Sequence, residues 1–185
     1  MPVLELELSC YPPELLTGEM DNSLQRRWWG VYTKSRQEKA LARELLARRV
    51  PFYLPLVAQT LVYKRSRVTS HVPMFSGYVF LHGTDEERAA CLKTNRVSRL
   101  IEVHDEARLL CDLQQVHRVA AEGVGVRVED RLVPGQRVRV CHGPFAGMEG
   151  EIISRHRPTR LQVAIDFIRR GISMEIDDCM VRPLE

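Results

Sequence analysis

The chain has 185 residues, of which 44% are hydrophobic and 28% charged, and a net charge of +3. This composition suits one globular domain or two small ones. No apolar run approaches the roughly 18–20 residues of a membrane-spanning helix. The five cysteines (Cys10, Cys91, Cys111, Cys141, Cys179) form no C-x-x-C pair, and the six histidines form no H-x-x-x-H pattern, which argues against a disulfide framework or a zinc site.

Charge is unevenly distributed. Residues 1–25 carry five acids and no Lys or Arg, whereas residues 26–122 carry 17 Lys and Arg against 10 Asp and Glu. Residues 132–185 are nearly neutral, with eight against seven. A basic block behind an acidic extension points toward nucleic acid as a neighbour. The opening residues have no basic n-region and no clean apolar core, so no signal peptide is expected and the cytoplasm is the default location.

Residues 1–25 hold Pro2, Pro12 and Pro13 with little periodicity. They read as an extension with at most a short docked piece around Tyr11 and Leu15–Leu16. "RWWGVYTK" is aromatic and β-branched and predicts a strand ending at Ser35. Ser35-Arg36-Gln37-Glu38 has the spacing of a capping box. The helix it opens is expected to reach about Arg49, before Pro51. Leu41, Ala42, Leu45 and Leu46 form its apolar face, with Lys39, Arg43 and Arg48 largely on the other.

"YLPLVAQTLVYKRSRVTSHVPMF" predicts two strands joined by a basic tip at Lys64-Arg65-Ser66-Arg67, and "GYVFLHG" a further strand. Thr84-Asp85-Glu86-Glu87 is a second capping box, opening a short helix to about Thr94. "VSRLIEV" is a strand. A third helix spans about Asp105 to Glu122, with Leu109, Leu110, Leu113, Val116, Val119 and Ala120 on one stripe and Gly123 as its stop. This order gives an α+β sheet with packed helices. "GVGVRVEDR" reads as a linker. Beyond Pro134-Gly135 the period changes to two: Val138 and Val140, then Leu161, Val163 and Ile165, then Ile172, Met174 and Ile176. These short alternating strands predict a small β-barrel. The expected boundaries are an extension over 1–25, a domain over 26–122, a linker over 123–132 and a second domain over 133–185.

Two motifs carry a resemblance. "GQRVRVCHGPFAGMEGEI", with Gly135, Gly143, Pro144, Phe145, Gly147 and Gly150, resembles the KOW motif of transcription elongation factors and some ribosomal proteins. Before it, "WWGVYTKSRQEKALARELLARRVPFYLPL", a basic hairpin, "MFSGYVF" and "RVSRLIEV" stand in the order of the NGN domain of NusG. The resemblance covers residues 26–184. It implies an NGN domain followed by a KOW domain, in a transcription elongation or antitermination factor of the NusG family, either general or an RfaH-like specialised paralogue.

It also implies partners and residues. The NGN domain would dock on the clamp helices of the largest catalytic subunit of RNA polymerase through an aromatic depression of Tyr32, Phe75, Tyr78 and Phe80. On this reading Val79 and Leu81, on the other face of the same strand, belong to the helix-packed core. The non-template DNA strand would pass near Lys34, Arg36, Arg48, Arg49, Lys93 and Arg96. A second contact, to the opposite wall of the cleft, would come from the start of the second helix, where "DEERAACLKT" lacks the hydroxyl-rich run of RfaH. The KOW domain would recruit the termination factor Rho or a small-subunit ribosomal protein through Phe167, Ile168, Arg169 and Arg170, where general NusG proteins carry an aromatic-Gly-Arg run. No cofactor or metal is implied, no membrane contact, and no catalysis, since the chain shows no nucleophile–base pair or P-loop. The competing reading is a ribosome- or RNA-associated KOW protein with a structural role.

Overall fold

The computed structural model describes residues 8–17, 25–63, 66–122, 126–129, 135–154, 159–176 and 180–184. The chain divides into two compact units, 1–106 and 107–185.

The first unit is built on a five-stranded sheet. Its strands are β1 (Cys10–Tyr11), β2 (Arg27–Thr33), β3 (Phe52–Tyr53), β6 (Tyr78–Gly83) and β7 (Val97–Glu102), in the order β1-β3-β6-β2-β7. Every adjacent pair is antiparallel. The expected docked piece of the extension is present and is more than a contact. Cys10 and Tyr11 pair with Tyr53 and Phe52, and a short 3-10 helix at Pro13–Leu16 buries Leu15 and Leu16. A separate hairpin, β4 (Leu56–Tyr63) with β5 (Ser66–Pro73), pairs over its full length from Leu56↔Pro73 to Tyr63↔Ser66. Lys64 and Arg65 of the expected basic tip lie outside the described residues.

Helix α1 (Glu38–Ala47) seals one face of the sheet. Leu41, Ala42 and Leu45 pack with Trp29, Val31, Val79, Leu81 and Cys91. Leu46, expected on the same stripe, is exposed. Arg48 caps the helix, Arg49 beyond it takes a left-handed φ of 57°, and the Val50 N–H returns to the Leu45 carbonyl. Helix α2 (Asp85–Leu92) opens on the expected capping box. The Glu87 N–H donates to Thr84 Oγ1 at 3.2 Å, and the Thr84 N–H donates to Glu87 Oε2 at 2.8 Å.

The capping box expected at Ser35–Glu38 does not form. The N-cap is Gln37, with no side-chain cap bond, and Arg36 takes a φ of 58°. Glu38 is instead buried, and its Oε1 accepts from the Gly77 N–H at 2.6 Å. The distant turn provides a donor that the carboxylate reaches in place of its own helix start.

The second unit contains helix α3 (Glu106–Ala121, its first residue at the division) and six strands: β8 (Arg127–Glu129), β9 (Gln136–Val140), β10 (Glu149–Ser154), β11 (Arg160–Ile165), β12 (Arg170–Glu175) and β13 (Val181–Pro183). They form one sheet in the order β13-β9-β10-β11-β12-β8. β8 falls in the stretch expected as linker: its backbone pairs with the edge of β12, which leaves residues 127–129 in a ladder. Residues 123–125 and 130–132 of that stretch lie outside the described residues.

The division at 106/107 places α3 with the second unit, where the sequence reading has it closing the first. Its polar side chains explain why. Asp112, buried, accepts from the Asp166 N–H at 3.2 Å, and Gln115 Oε1 accepts from the Glu149 N–H at 3.0 Å. Arg118 Nη2 donates to the carbonyls of Pro144 and Ala146 at 2.9 and 3.2 Å. The period-two reading holds for Val138, Val140, Leu161, Val163, Ile165, Ile172 and Met174, all buried, whereas Ile176 falls just past the end of β12 and is half-buried. The alternating polar positions are not simply solvated, because Gln162 and Ser173 are buried too. Ser173 Oγ accepts from Arg160 Nε and Nη2 at 3.1 and 2.8 Å.

In the Gly-Pro-Phe turn, Gly147 has a φ of 84°, a conformation that favours glycine. Gly150 answers a different need. A Cβ there would stand 2.5 Å from the Gln162 carbonyl oxygen of the neighbouring strand.

Candidate interaction surfaces

The four residues expected in the aromatic depression divide into two pairs. Tyr32 and Tyr78 face each other across β2 and β6, with ring centroids 5.1 Å apart and planes inclined at 57°. Tyr32 is 37% exposed, and Tyr78 is half-buried. A tilted tyrosine pair is a rigid, amphipathic patch of the kind used in recognition. Phe75 and Phe80 are 1% and 0% exposed and are core residues in this structure, not parts of an open depression. The reason lies in strand order. β6 is the central strand, and Phe80 sits between Gly30 on β2 and the buried Tyr53 on β3. A mid-sheet position opposite a glycine accommodates a large ring. Val79 and Leu81 lie in the α1-facing core, as their alternation predicts.

Gly77 fixes the turn beside the tyrosines. Its φ is 83°, and a Cβ on it would come within 2.9 Å of the Tyr32 ring. Its carbonyl accepts from the Thr33 N–H at 2.7 Å, and its own N–H is taken by Glu38. Sequence reasoning identifies the Ser76-Gly77 turn but gives no sign of the Glu38 brace, because the partners are 39 residues apart.

The expected DNA-proximal cations fall in four places. Lys34 Nζ donates to Asn95 Oδ1 at 2.7 Å, and the Lys34 N–H donates to the Arg96 carbonyl at 2.8 Å. Arg96 is committed internally. Its Nε reaches Glu44 Oε1 and its Nη1 reaches Gln37 Oε1, both at 2.5 Å, so it ties β7 to α1. Lys93 is exposed at the C-cap of α2. Arg48 and Arg49 are exposed at the far end of α1. Arg36 stands apart, in a cleft of about 490 Å³ between the start of α1 and the β4–β5 hairpin, with Lys39, Arg43, Gln59 and Ser76. Lys39 and Arg43 are absent from the expected set, because helical spacing places them on the outer face of α1 without revealing the hairpin alongside.

In the second unit the expected partner loop is a 3-10 turn, Asp166–Ile168, followed by Arg169 in a left-handed conformation with a φ of 53°. Phe167, Ile168 and Arg170 are half-buried, and Arg169 is exposed. The buried cysteines are not activated. Burial pushes the Cys10 thiol up to about 11, with Glu14 adding to the rise, and burial likewise pushes Cys91 up to about 11 against the counteracting charge of Arg48. No helix among the described residues is long and apolar enough to cross a membrane.

Residues 26–118, half of the chain, match the family described as transcription termination factor nusG. The chain belongs to the NusG family. Among solved structures, one of the domain interaction in Thermotoga maritima NusG is 19% identical with a TM-score of 0.48, covering 86% of this chain and 98% of its own. One of the MjSpt4:Spt5 complex is 16% identical with a TM-score of 0.28, covering 85% and 97%. No curated protein matches in sequence. Within this NusG-family chain, the matched span holds the Tyr32–Tyr78 pair, the Glu38–Gly77 brace and the Arg36 cleft.

Proposed function

We propose that this chain is a transcription elongation factor that binds RNA polymerase through residues 26–122 and suppresses pausing or termination. The observation that carries the reading is the Tyr32–Tyr78 pair, Tyr32 exposed and Tyr78 half-buried, within the span that matches the NusG family. Docking on the clamp helices of the largest polymerase subunit would bury the pair, with Phe75 and Phe80 supporting it from the core instead of touching the partner. The factor acts by binding alone. Holding the polymerase clamp in its closed state disfavours opened, paused states by population shift. Lys34, Arg36, Lys93, Arg48 and Arg49 are the exposed cations of the expected set available to non-template DNA, through contacts that position without reading sequence.

Residues 133–185 act as a KOW domain whose five strands β9–β13, with β8 added at the edge of β12, close as a small barrel, a reading supported by the Gly147 turn and by the tight approach at Gly150. Its partner surface is the turn at Phe167–Arg170, and Rho or a small-subunit ribosomal protein is the class of partner.

Polymerase capture tests the reading. Immobilised chain is expected to retain purified RNA polymerase, and a folded Tyr32→Ala/Tyr78→Ala variant is expected to lose it. Retention by the folded double variant would remove the tyrosine pair from the interface. Recovery with ribosomes instead of polymerase would favour the structural KOW reading.

A further inference from the structure

We infer that Arg99 is the charged end of the tyrosine surface and takes a carboxylate of the polymerase segment that docks there. The inference rests on the polymerase-binding reading and adds the chemistry of the partner at one position.

The strand ladder puts Arg99 in that place. β6, β2 and β7 are neighbours, and their registers set Tyr78, Tyr32 and Arg99 opposite one another in one cross-strand row. Side chains opposite each other in a ladder project from the same face, with Cβ atoms about 4.5–5.5 Å apart. The tyrosine pair therefore continues into a guanidinium on the edge strand. Arg99 is exposed, as Tyr32 is. The next row on this face, Phe80, Gly30 and Ile101, is apolar. An aromatic pair that ends in an arginine at the rim has the residue types that interfaces favour.

Arg99 is also the uncommitted charge of its strand. Glu102 pairs with Arg27 at 3.0 Å, and Arg96, just before β7, is held by Glu44 and Gln37. Among the described residues, the Arg99 guanidinium has no hydrogen-bond or ion-pair partner. Its counter-charge is left for a partner to supply, and the planar fork of an arginine matches the two oxygens of a carboxylate. The β2–β7 register slips after Tyr32, where Thr33 pairs with Val97 and Ser98 is left unmatched beside Arg99. An extra residue of this kind re-aims the neighbouring side chain and discourages a further strand from adding at the edge. This edge is thus suited to a side-chain contact.

The spacing fixes where the acid sits. Adjacent strands lie about 4.8 Å apart, so the row from Tyr78 to Arg99 spans about 10 Å. A helix rises about 1.5 Å per residue and covers that distance in about two turns. A partner helix lying along the row would carry its Asp or Glu about one turn beyond the side chain that meets Tyr32. A phosphate is the other anion an arginine could take, but a single cation beside aromatic rings is not the basic groove that tracks a nucleic-acid backbone.

The test measures binding of the full chain to purified core RNA polymerase free of nucleic acid. Arg99→Ala is expected to bind about fivefold more weakly. Arg99→Glu, which sets carboxylate against carboxylate, is expected to bind at least about thirtyfold more weakly. Arg182→Glu, at an exposed arginine of β13, is the charge control and is expected to stay within about twofold of the parent. An Arg99→Glu variant no weaker than Arg99→Ala would overturn the carboxylate. An equal loss in Arg182→Glu would overturn the site, because net charge alone would then account for binding. Folding is checked by circular dichroism. If Arg99→Glu fails to fold, Arg99→Gln is expected to match Arg99→Ala, and parent-like binding by it would overturn the inference. Weaker binding of a labelled oligothymidylate by Arg99→Ala, with polymerase binding unchanged, would assign the residue to phosphate and overturn it as well. Parent-like binding by Arg99→Glu, where Tyr32→Ala/Tyr78→Ala has lost polymerase, removes this inference alone. A parent chain that polymerase does not retain removes the reading beneath it.

Discussion

Glu38 Oε1 accepts a 2.6 Å hydrogen bond from the backbone N–H of Gly77, joining the first turn of α1 to the turn that presents Tyr78. The carboxylate is buried, and the bond is charge-assisted. Glu38→Ala is therefore expected to cost about 1.5–3 kcal/mol, the range for hydrogen bonds to charged groups. Urea unfolding of the two proteins checks this. A loss below about 0.5 kcal/mol would mean that water replaces the carboxylate without penalty.

Gly77→Ala perturbs the same turn from the other side. It asks alanine to hold a φ of 83° and brings a methyl group within 2.9 Å of the Tyr32 ring. The backbone strain is expected to cost about 1–2 kcal/mol, and the ring has to move. Polymerase capture should fall more than stability does. The discriminating measurement is capture at a temperature where circular dichroism shows the variant folded. Undiminished capture there would show that the tyrosine geometry is not critical.

Phe75→Ala and Phe80→Ala are expected to act through the core. Each opens a cavity worth about 3–5 kcal/mol, whereas Tyr78→Ala removes a half-buried ring at lower cost. Unfolding midpoints of the three variants should separate into two groups. A mild Phe80→Ala would contradict the fully enclosed position of that ring.

The second capping box supports a pH prediction. Burial alone would raise the Glu87 pKa, but hydrogen bonds from the Arg26 guanidinium and the Thr84 N–H, with the charges of Arg26 and His82, outweigh it. Together they hold the carboxyl below the usual glutamate range. The folded state thus binds this proton more weakly than the unfolded chain does. The stabilisation is complete above the ordinary glutamate value of 4.5 and is lost as pH falls through the lower folded-state pKa. Arg26→Ala is expected to lower stability at neutral pH, and the gap to the parent should narrow below about pH 4. A gap that stays constant down to about pH 3 would assign the effect of Arg26 to packing. Thr84→Ala should cost about 1 kcal/mol through the lost cap.

Local signals in the sequence account for much of this fold. The Thr84–Glu87 box, the β2 and β6 strands, and the division of Val79 and Leu81 from Tyr78 follow from spacing alone, because each is decided within a few residues. The failures are all long-range. Ser35–Glu38 has the right letters for a cap, yet Glu38 is recruited by a turn 39 residues away. Phe80 shares a face with Tyr78, but no local pattern shows that β6 is the central strand or that Gly30 lies opposite. Arg96 reads as one more surface cation until Glu44 and Gln37 converge on it. The partners of α3 are hidden for the same reason, since Asp112 and Gln115 meet their backbone partners 54 and 34 residues onward.

The two residues of β1 bear on how the protein is handled. Ser9 accepts from the Leu54 N–H at 2.6 Å, and Cys10 and Tyr11 cover the outer edge of β3. Trimming the acidic segment to obtain a minimal domain would strip this cover. It would leave the unpaired backbone of Phe52 and Tyr53 open to any passing strand, the usual starting point of self-association. Expression boundaries placed before Leu8 keep that edge closed, and a shorter version is expected to aggregate although every residue of the tyrosine surface remains.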